Sequence, residues 1–240
     1  MIFSDITFVL LEEVDSTNLY AKLHSHLMQD NVILAIIARE QTSGKGRYDK
    51  KWISKKDESI TMSFLFPLKN YQHPAHLTQI LAYSAAELFN EMKLGIKIKW
   101  PNDLFVENRK MGGILMETVN DSIILGIGLN INQTVDDLEN IDQPSTSFFI
   151  ETTHNLYVEE AAKVLAKIFL GNLNKLLNSG FAFFKNQINE HFLIKKSALW
   201  SNDVQIKQGI ILGIDDYGCL IFEEENKKNT YSYGSLNINF

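Results

Sequence analysis

Two short segments of the chain combine a lysine, a rigid turn and a pair of glycines. One reads Lys-Trp-Pro-Asn-Asp-Leu over 99–104, and the other reads Lys-Met-Gly-Gly-Ile-Leu over 110–115. Apolar residues alternate with lysines over 96–100, which is the period of a strand with one buried face, so Lys99 should point away from the core. Pro101 should end that strand, and glycines inside the next strand let a ligand approach its backbone. The two segments therefore predict a cation beside an accessible main chain.

A glycine-rich loop with several cations follows a buried strand nearer the N-terminus. The apolar run over 32–38 leads into Gly-Lys-Gly-Arg-Tyr-Asp-Lys-Lys-Trp over 44–52. Backbone N–H groups, together with Lys45 and Arg47, suit an anionic ligand, and phosphate is the obvious candidate. The loop lacks the third glycine of a dinucleotide fingerprint, and the chain has no G-x-x-x-x-G-K-[ST] motif, which argues against Rossmann and P-loop sites. A mobile charged loop is the alternative interpretation of this segment by itself.

Four small polar residues, Asp-Ser-Thr-Asn over 15–18, separate a strand-like run over 6–14 from a helical pattern. Leucines at 19, 23 and 27 give that helix an apolar face at fourfold spacing. Such residues are typical of helix N-caps, which is the structural interpretation. Four in succession exceed what one cap requires, so the remaining hydroxyl and amide groups could bind a small polar ligand.

Taken in order, five segments resemble the signature motifs of biotin protein ligases. They cover 13–18, 41–52, 99–104, 110–117 and 126–132, and the last reads Gly-Ile-Gly-Leu-Asn-Ile-Asn. The resemblance spans about 12–132, and 213–218 more loosely resembles a hairpin of the family's small barrel. It implies a class II synthetase-like catalytic domain over 1–192 and an SH3-like all-β barrel over 193–240.

The resemblance also implies a two-step, ATP-dependent reaction. Biotin is activated to biotinyl-5'-AMP, and a lysine of a carrier protein then takes the biotin while AMP leaves. The implied catalytic residues are Lys99 and Arg47. The implied biotin contacts are Ser16, Thr17, Asn18, Gln41, Gly112, Gly113 and Ile114. The implied ATP and adenylate contacts are Lys45, Gly46, Arg47, Trp52, Lys99, Asn102, Asn130 and Asn132. Mg²⁺ is expected to arrive with ATP rather than in a protein cluster.

The glycine-rich loop departs from the family's usual G-R-G-R-x-G-R. Lys45, Tyr48, Asp49 and Lys50 stand at positions where arginine or glycine is more typical, and Arg47 remains. Lysine keeps the charge but not the bidentate fork of arginine, which bears on how tightly an adenylate is held. The segment 234–240 lacks the basic residue that some relatives place near the nucleotide, so no catalytic residue is expected there.

Composition excludes several classes of protein. The 240 residues are 45% hydrophobic, which is enough for a large domain and a small one. The net charge of −6 opposes general nucleic-acid binding, and the six histidines show no metal-ligand spacing. Cys219 is the single cysteine, so no intrachain disulfide can form. With no signal or membrane-spanning segment, we expect a cytoplasmic protein, and the early start of the catalytic pattern predicts no N-terminal DNA-binding domain.

Periodicity along the chain favours an α+β protein with a mixed sheet flanked by helices. Strand patterns cover 6–14, 32–39, 59–66, 96–100, 110–119 and 123–131, and short strands follow from 204 onward. Helical patterns cover 17–29, 75–92, 157–178 and 181–191.

Two other functions stay open at this point. A lipoate ligase or octanoyl transferase would share the fold, although octanoyl transfer needs a cysteine in the main domain and Cys219 is not there. A non-catalytic protein that holds biotin or its adenylate is the second alternative. The expected partner of a ligase is the biotin carboxyl carrier protein of acetyl-CoA carboxylase or of another biotin-dependent carboxylase, docking by paired strand edges. The sequence fixes neither this partner nor the oligomeric state, for which a homodimer is one option.

Overall fold

The computed structural model describes residues 2–67, 71–139, 141 and 143–238. Within them the strands are β1 (Asp5–Val14), β2 (Val32–Gln41), β3 (Gly44–Lys45), β4 (Lys51–Trp52), β5 (Ser59–Pro67), β6 (Ile96–Lys99), β7 (Asp103–Val106), β8 (Arg109–Val119), β9 (Ser122–Asn130), β10 (Ser197–Ser201), β11 (Ile206–Ile214), β12 (Leu220–Glu224), β13 (Lys227–Tyr231) and β14 (Ser235–Ile238). The helices are α1 (Thr17–Leu23), α2 (Ala75–Asn90), α3 (Val135–Leu138), α4 (Phe148–Thr152), α5 (Val158–Ser179) and α6 (Ala182–His191). No helix among these residues is apolar over a length that would cross a membrane.

Seven of the described strands form one mixed sheet in the order β1-β2-β5-β9-β8-β7-β6. The β1–β2 pair is parallel and the other pairs are antiparallel. β5 lies inside the sheet and is buried along its whole length, as expected for a strand with both faces covered. Helices α2 and α5 cover one face through the main hydrophobic core, and α1 covers the other through a small cluster around Ala21 and Leu65. The predicted mixed sheet with flanking helices is confirmed.

The C-terminal strands form a separate antiparallel sheet in the order β13-β12-β11-β10-β14. This confirms the expected all-β region, although its first strand begins at Ser197 rather than near 204. Trp200 and Phe222 lie in its core. The expected domain boundary between 192 and 193 stays a prediction.

The turn between β11 and β12 connects the two sheets. Gln79 Nε2 of α2 and Trp100 Nε1 both donate to the backbone oxygen of Gly218, at 2.7 and 3.3 Å. The ring nitrogen Nε2 of His76 lies 3.1 Å from the backbone oxygen of Asp216. Since Trp100 follows β6 directly, this contact fixes the C-terminal sheet beside the β6–β7 turn.

Helix α1 differs from the predicted amphipathic helix. It ends at Leu23, and Leu23 and Leu27 are 66% and 56% exposed. Thr17 and Asn18 face the sheet instead, because they hydrogen-bond Gln41 and Ser63 there. The leucine spacing was therefore the wrong guide to the buried face, which carries Thr17, Asn18 and Ala21.

Candidate active site

A cavity of about 580 Å³ opens at one end of the large sheet. Its wall is formed by the start of α1, the loop that carries β3 and β4, the β6–β7 turn, and the adjacent strands β8 and β9. Ser235 and Leu236 of β14 complete one side. Segments far apart in the sequence therefore meet at one concave surface, which is where small-molecule sites are usually found.

Most of the residues predicted for the site line this cavity. They are Ser16, Thr17, Asn18, Gln41, Lys45, Gly46, Arg47, Trp52, Lys99, Asn102, Gly113, Ile114 and Asn130. The structure brings these residues together around one cavity. Their roles as ligand contacts stay predictions.

Two predicted residues, Gly112 and Asn132, are not among the lining residues of the described chain. A Cβ at Gly112 would lie 2.4 Å from the backbone oxygen of Gly128, so this glycine allows β8 and β9 to approach each other. The Asn132 amide donates to the backbone oxygens of Asp57 and Leu156, each at 3.0 Å. Both residues hold the structure around the cavity rather than facing it.

The start of α1 contributes a group of polar side chains to the cavity wall. Ser16 is the N-cap and accepts a long bond of 3.5 Å from Leu19 N, as its cap interpretation predicts. The backbone N–H and the hydroxyl of Thr17 donate to Gln41 Oε1 at 2.8 and 3.0 Å. Ser63, which the sequence analysis missed, lies 2.7 Å from the Thr17 hydroxyl. Buried donors and acceptors of this kind suit a small ligand with polar groups of its own.

The wall of the cavity is also strongly cationic. Six of its described lining residues carry positive charge, namely Lys45, Arg47, Lys50, Lys51, Lys99 and Lys110. Asp103 is the single carboxylate among the same lining residues. In a chain whose net charge is −6, this concentration of cations indicates a polyanionic ligand.

Two lysines share the Asp103 carboxylate. Lys110 Nζ lies 2.8 Å from Oδ1, and Lys99 Nζ lies 3.4 Å from Oδ2 and 5.0 Å from the centroid of the Phe105 ring. Burial lowers the pKa of Lys99; Asp103 opposes this effect and Lys110 adds to it. Lys110 was not predicted as a site residue, because within 110–117 only the glycines carry a signal of ligand contact.

Arg47 joins three parts of the wall. Its Nη1 donates to Asn102 Oδ1 at 3.1 Å, and its Nη2 donates to the Tyr48 hydroxyl at 3.0 Å and to the backbone oxygen of Gly234 at 3.1 Å. The guanidinium also lies 4.9 Å from the centroid of the Tyr48 ring. The glycine-rich loop is thereby fastened to the β6–β7 turn and to the C-terminal sheet.

The indole ring of Trp52 packs on the backbone of Gly128. A Cβ at Gly128 would lie 2.5 to 2.9 Å from three atoms of the indole, so glycine is required for this packing. Gly44 and Trp52 are paired in the short β3–β4 ladder, which holds the tryptophan against the cavity wall.

The described residues contain no group of three or more side chains suited to hold a metal ion. Asp103, the carboxylate of the cavity, is already paired with two lysines. A divalent cation at this site would therefore have to be carried chiefly by the oxygens of a bound phosphate ligand, which is a usual arrangement for Mg²⁺.

Comparisons with known proteins agree with this geometry. A family model described as "Biotin/lipoate A/B protein ligase family" matches residues 10–133. The biotin--[acetyl-CoA-carboxylase] ligase of Paracoccus denitrificans is 30% identical over 230 residues, covering 88% of this chain and 92% of that protein. The bifunctional ligase/repressor BirA of Escherichia coli is 27% identical over 242 residues, covering 95% of this chain and 73% of that protein.

A solved structure extends the likeness to the whole fold. The biotin protein ligase of Aquifex aeolicus in complex with biotin and ATP matches with a TM-score of 0.87 and 26% identity. The match covers 97% of this chain and 98% of that one, so both sheets are included.

Proposed function

Because this chain belongs to the biotin/lipoate A/B protein ligase family, we propose that it is an ATP-dependent biotin protein ligase. The observation that carries the proposal is that one cavity is lined both by polar groups at Thr17 and Gln41 and by six cationic side chains. An enzyme that joins a small polar acid to a nucleotide needs both kinds of group in one cavity. The relatives named above as biotin ligases make biotin the acid and ATP the nucleotide.

In the first step a carboxylate oxygen of biotin attacks the α-phosphorus of ATP. A carbonyl-oxygen-phosphorus link forms, the bond between the α-phosphorus and its bridging oxygen breaks, and pyrophosphate leaves. Both reactants are anions, so cations must be fixed where charge accumulates, and Lys99, Lys110 and Lys45 are available there. Binding both reactants in one cavity also removes the entropic cost of bringing them together. Mg²⁺, carried by the phosphates, would add to this charge neutralisation.

In the second step a lysine amine of the acceptor attacks the acyl carbon of biotinyl-5'-AMP. The carbon–nitrogen bond forms, the acyl carbon–oxygen bond to AMP breaks, and the amine loses a proton. Water would hydrolyse the same mixed anhydride, so the loop around Arg47 has to keep it out. Its contacts with Asn102 and Gly234 hold the loop against both neighbouring walls.

The acceptor proposed is a biotin carboxyl carrier protein, in keeping with the acetyl-CoA carboxylase named for the Paracoccus relative. Strand β8 pairs with β7 only over Arg109–Gly113, and over 114–119 it pairs with β9 alone in the described structure. The edge of β8 that has no partner strand in the described structure begins at Leu115, and Leu115 lines the cavity. An acceptor strand added to this edge would bring its lysine to the mouth of the site. A cytoplasmic location, a homodimer and the absence of DNA binding stay predictions.

The test is ATP–pyrophosphate exchange with biotin, lipoate or octanoate as the added acid. Exchange stimulated by biotin alone is expected, because it reports the first step without any acceptor protein. Stimulation by lipoate would assign the chain to the lipoate branch of the family. Silence with all three acids, combined with measurable biotin binding, would favour a binding protein and refute the proposal.

A further inference from the structure

The second step of the proposed reaction requires a neutral amine. An acceptor lysine can attack the adenylate only without its extra proton, because the ammonium form has no lone pair. In water the pKa of a lysine side chain is about 10.4, so only about one part in a thousand is neutral near pH 7.5. A site that raises this fraction would accelerate the transfer in proportion.

The described residues that line the cavity offer no unengaged base for this purpose. They include no histidine and no glutamate, and Asp103 is their single carboxylate. Its Oδ1 lies 2.8 Å from Lys110 Nζ, and its Oδ2 lies 3.4 Å from Lys99 Nζ. A proton on Asp103 would leave two largely buried ammonium groups without their counter-ion, which is unfavourable. The Tyr48 hydroxyl already accepts a bond of 3.0 Å from Arg47 Nη2.

The six cations of the cavity form one group, here called the cationic wall. It consists of Lys45, Arg47, Lys50, Lys51, Lys99 and Lys110. Opposed to it are the charge of Asp103 and the single negative charge on the phosphate of biotinyl-5'-AMP. A cavity of 580 Å³ is about 10 Å across, which is close to the Debye length of about 8 Å at physiological ionic strength. Salt therefore screens these charges only in part.

Lys99 shows how such charges act on an amine in this cavity. Burial lowers the pKa of Lys99, Asp103 opposes this effect, and the charges of Lys110 and Lys50 lower the pKa further. Lys50 is an exposed residue between β3 and β4, so even a cation at the surface of the wall affects a lysine inside it. Neighbouring cations favour the neutral form of any amine, and an acceptor lysine entering the cavity would meet the same charges.

We propose that the cationic wall activates the acceptor, because it disfavours the ammonium form of the incoming lysine and so presents the neutral amine to the adenylate. The ammonium gives its proton to water before the attack. The nitrogen lone pair then bonds to the acyl carbon, the bond from that carbon to the phosphate oxygen breaks, and AMP leaves with the electron pair. The nitrogen loses one more proton to water, which completes the amide. This inference rests on the proposed function, since it explains how the second step is accelerated.

The size of the effect follows from Coulomb's law. One unit charge about 10 Å away changes the pKa of an amine by about 0.3 at the dielectric constant of water, and by about 1 at the effective value near a protein surface. Several such charges should bring the pKa of the acceptor amine to about 9 or below. The neutral fraction at pH 7.5 would then be about 25-fold higher than for a free lysine, or more.

The test measures single-turnover transfer from preformed biotinyl-5'-AMP bound to the protein, between pH 7 and pH 10, so that the first step is bypassed. Nα-acetyl-lysine amide is the acceptor probe. Hydroxylamine, which is neutral throughout this range, is the control for effects of pH on the bound adenylate. The rate with the lysine probe should level off above an apparent pKa of about 9 or below, at least about 1 lower than in water. The rate with hydroxylamine should not change with pH.

Charge-removing variants then test whether the cationic wall is responsible. Lys50→Gln combined with Lys51→Gln removes two exposed charges and should raise the apparent pKa by about 0.5 or more. Lys167→Gln combined with Lys175→Gln is the matched control, because it makes the same change in net charge on α5, which contributes no described residue to the cavity. Added salt should also move the wild-type value up toward that of the free amine.

An apparent pKa that stays at the value in water, or that does not respond to loss of the charges at Lys50 and Lys51, would overturn the inference. The same shift in the control variant would overturn it as well, since net charge rather than the cationic wall would then be the cause. In either case the phosphate of the adenylate would become the candidate proton acceptor. Absence of transfer to both nucleophiles would instead count against the proposed function, so the two failures are distinguishable.

Discussion

Acid should weaken the contact between the two sheets at His76. The residue is 3% exposed, and its ring stacks on Phe181 with centroids 3.9 Å apart. Its two ring nitrogens lie 3.1 Å from the Tyr71 hydroxyl and 3.1 Å from the backbone oxygen of Asp216. Burial, assisted by the charge of His73, lowers the pKa of His76 to about 4 from an ordinary value of 6.5.

The sign of the effect follows from proton uptake. Because the pKa is lower in the folded protein, the unfolded chain binds more protons between pH 6.5 and pH 4, and the free energy of unfolding falls as the pH falls through that window. With 6.5 for the unfolded chain and about 4 for the folded one, the loss between pH 7 and pH 5 comes to about 2 kcal/mol.

Urea unfolding of the wild type and of His76→Gln at pH 7 and pH 5 measures this loss. Glutamine can still hydrogen-bond but cannot take up a proton, so the wild type should lose about 2 kcal/mol more than the variant between the two pH values. His154→Gln, at an exposed histidine, should leave the wild-type difference unchanged. The same pH dependence in the wild type and in His76→Gln would refute the assignment of the acid sensitivity to this ring.

Three further predictions concern the cavity. Lys99→Ala and Lys110→Ala should each lower the pyrophosphate exchange rate about 10²- to 10³-fold at saturating biotin. The affinity for biotin should change far less. Equal modest effects on rate and affinity would contradict a role for that lysine in the transition state. Gly128→Ala should displace the Trp52 indole, whose nearest atom lies 2.5 Å from the added Cβ, and so raise the KM for ATP about 10-fold with biotin affinity unchanged by titration. Lys99→Met removes an ammonium group, and burial lowers the pKa of that group. Urea unfolding should therefore show the variant to be at least as stable as the wild type at pH 7. The difference in free energy of unfolding should narrow toward pH 10, as the wild-type lysine loses its proton.

The strands of the large sheet were predictable because their apolar patterns are long and sharply bounded. The strand pattern over 59–66, for example, corresponds to β5 (Ser59–Pro67), and that over 110–119 corresponds to β8. The short strands β3 and β4 were missed, since two-residue ladders such as Gly44–Lys45 carry no periodic signal. β7 was missed as well, because Asp103 was assigned to a turn and is instead the first residue of the strand.

The residues missed at the site share a different cause. Ser63 stands inside the apolar run of β5 and carries no motif, so its contact with Thr17 exists only once α1 is placed against that strand. Glu117 ends a recognised motif, yet its partner Asn18 lies 99 positions away. Such pairs depend on the register between elements, which local patterns do not contain. The same dependence explains why the leucine spacing of α1 gave the wrong face, because the residues that face the sheet are Thr17, Asn18 and Ala21.

The unusual composition of the glycine-rich loop becomes intelligible from the contacts of Arg47. Its guanidinium donates hydrogen bonds to Asn102, Tyr48 and the Gly234 backbone. These bonds use several of its N–H groups to hold the loop against its neighbours. Tyr48 contributes both its hydroxyl and its ring to this contact. Charge toward the ligand then falls to the lysines, whose ammonium groups act as point charges and need no planar partner. Closure and charge in this loop therefore fall to different side chains, closure to Arg47 and Tyr48 and charge to the lysines.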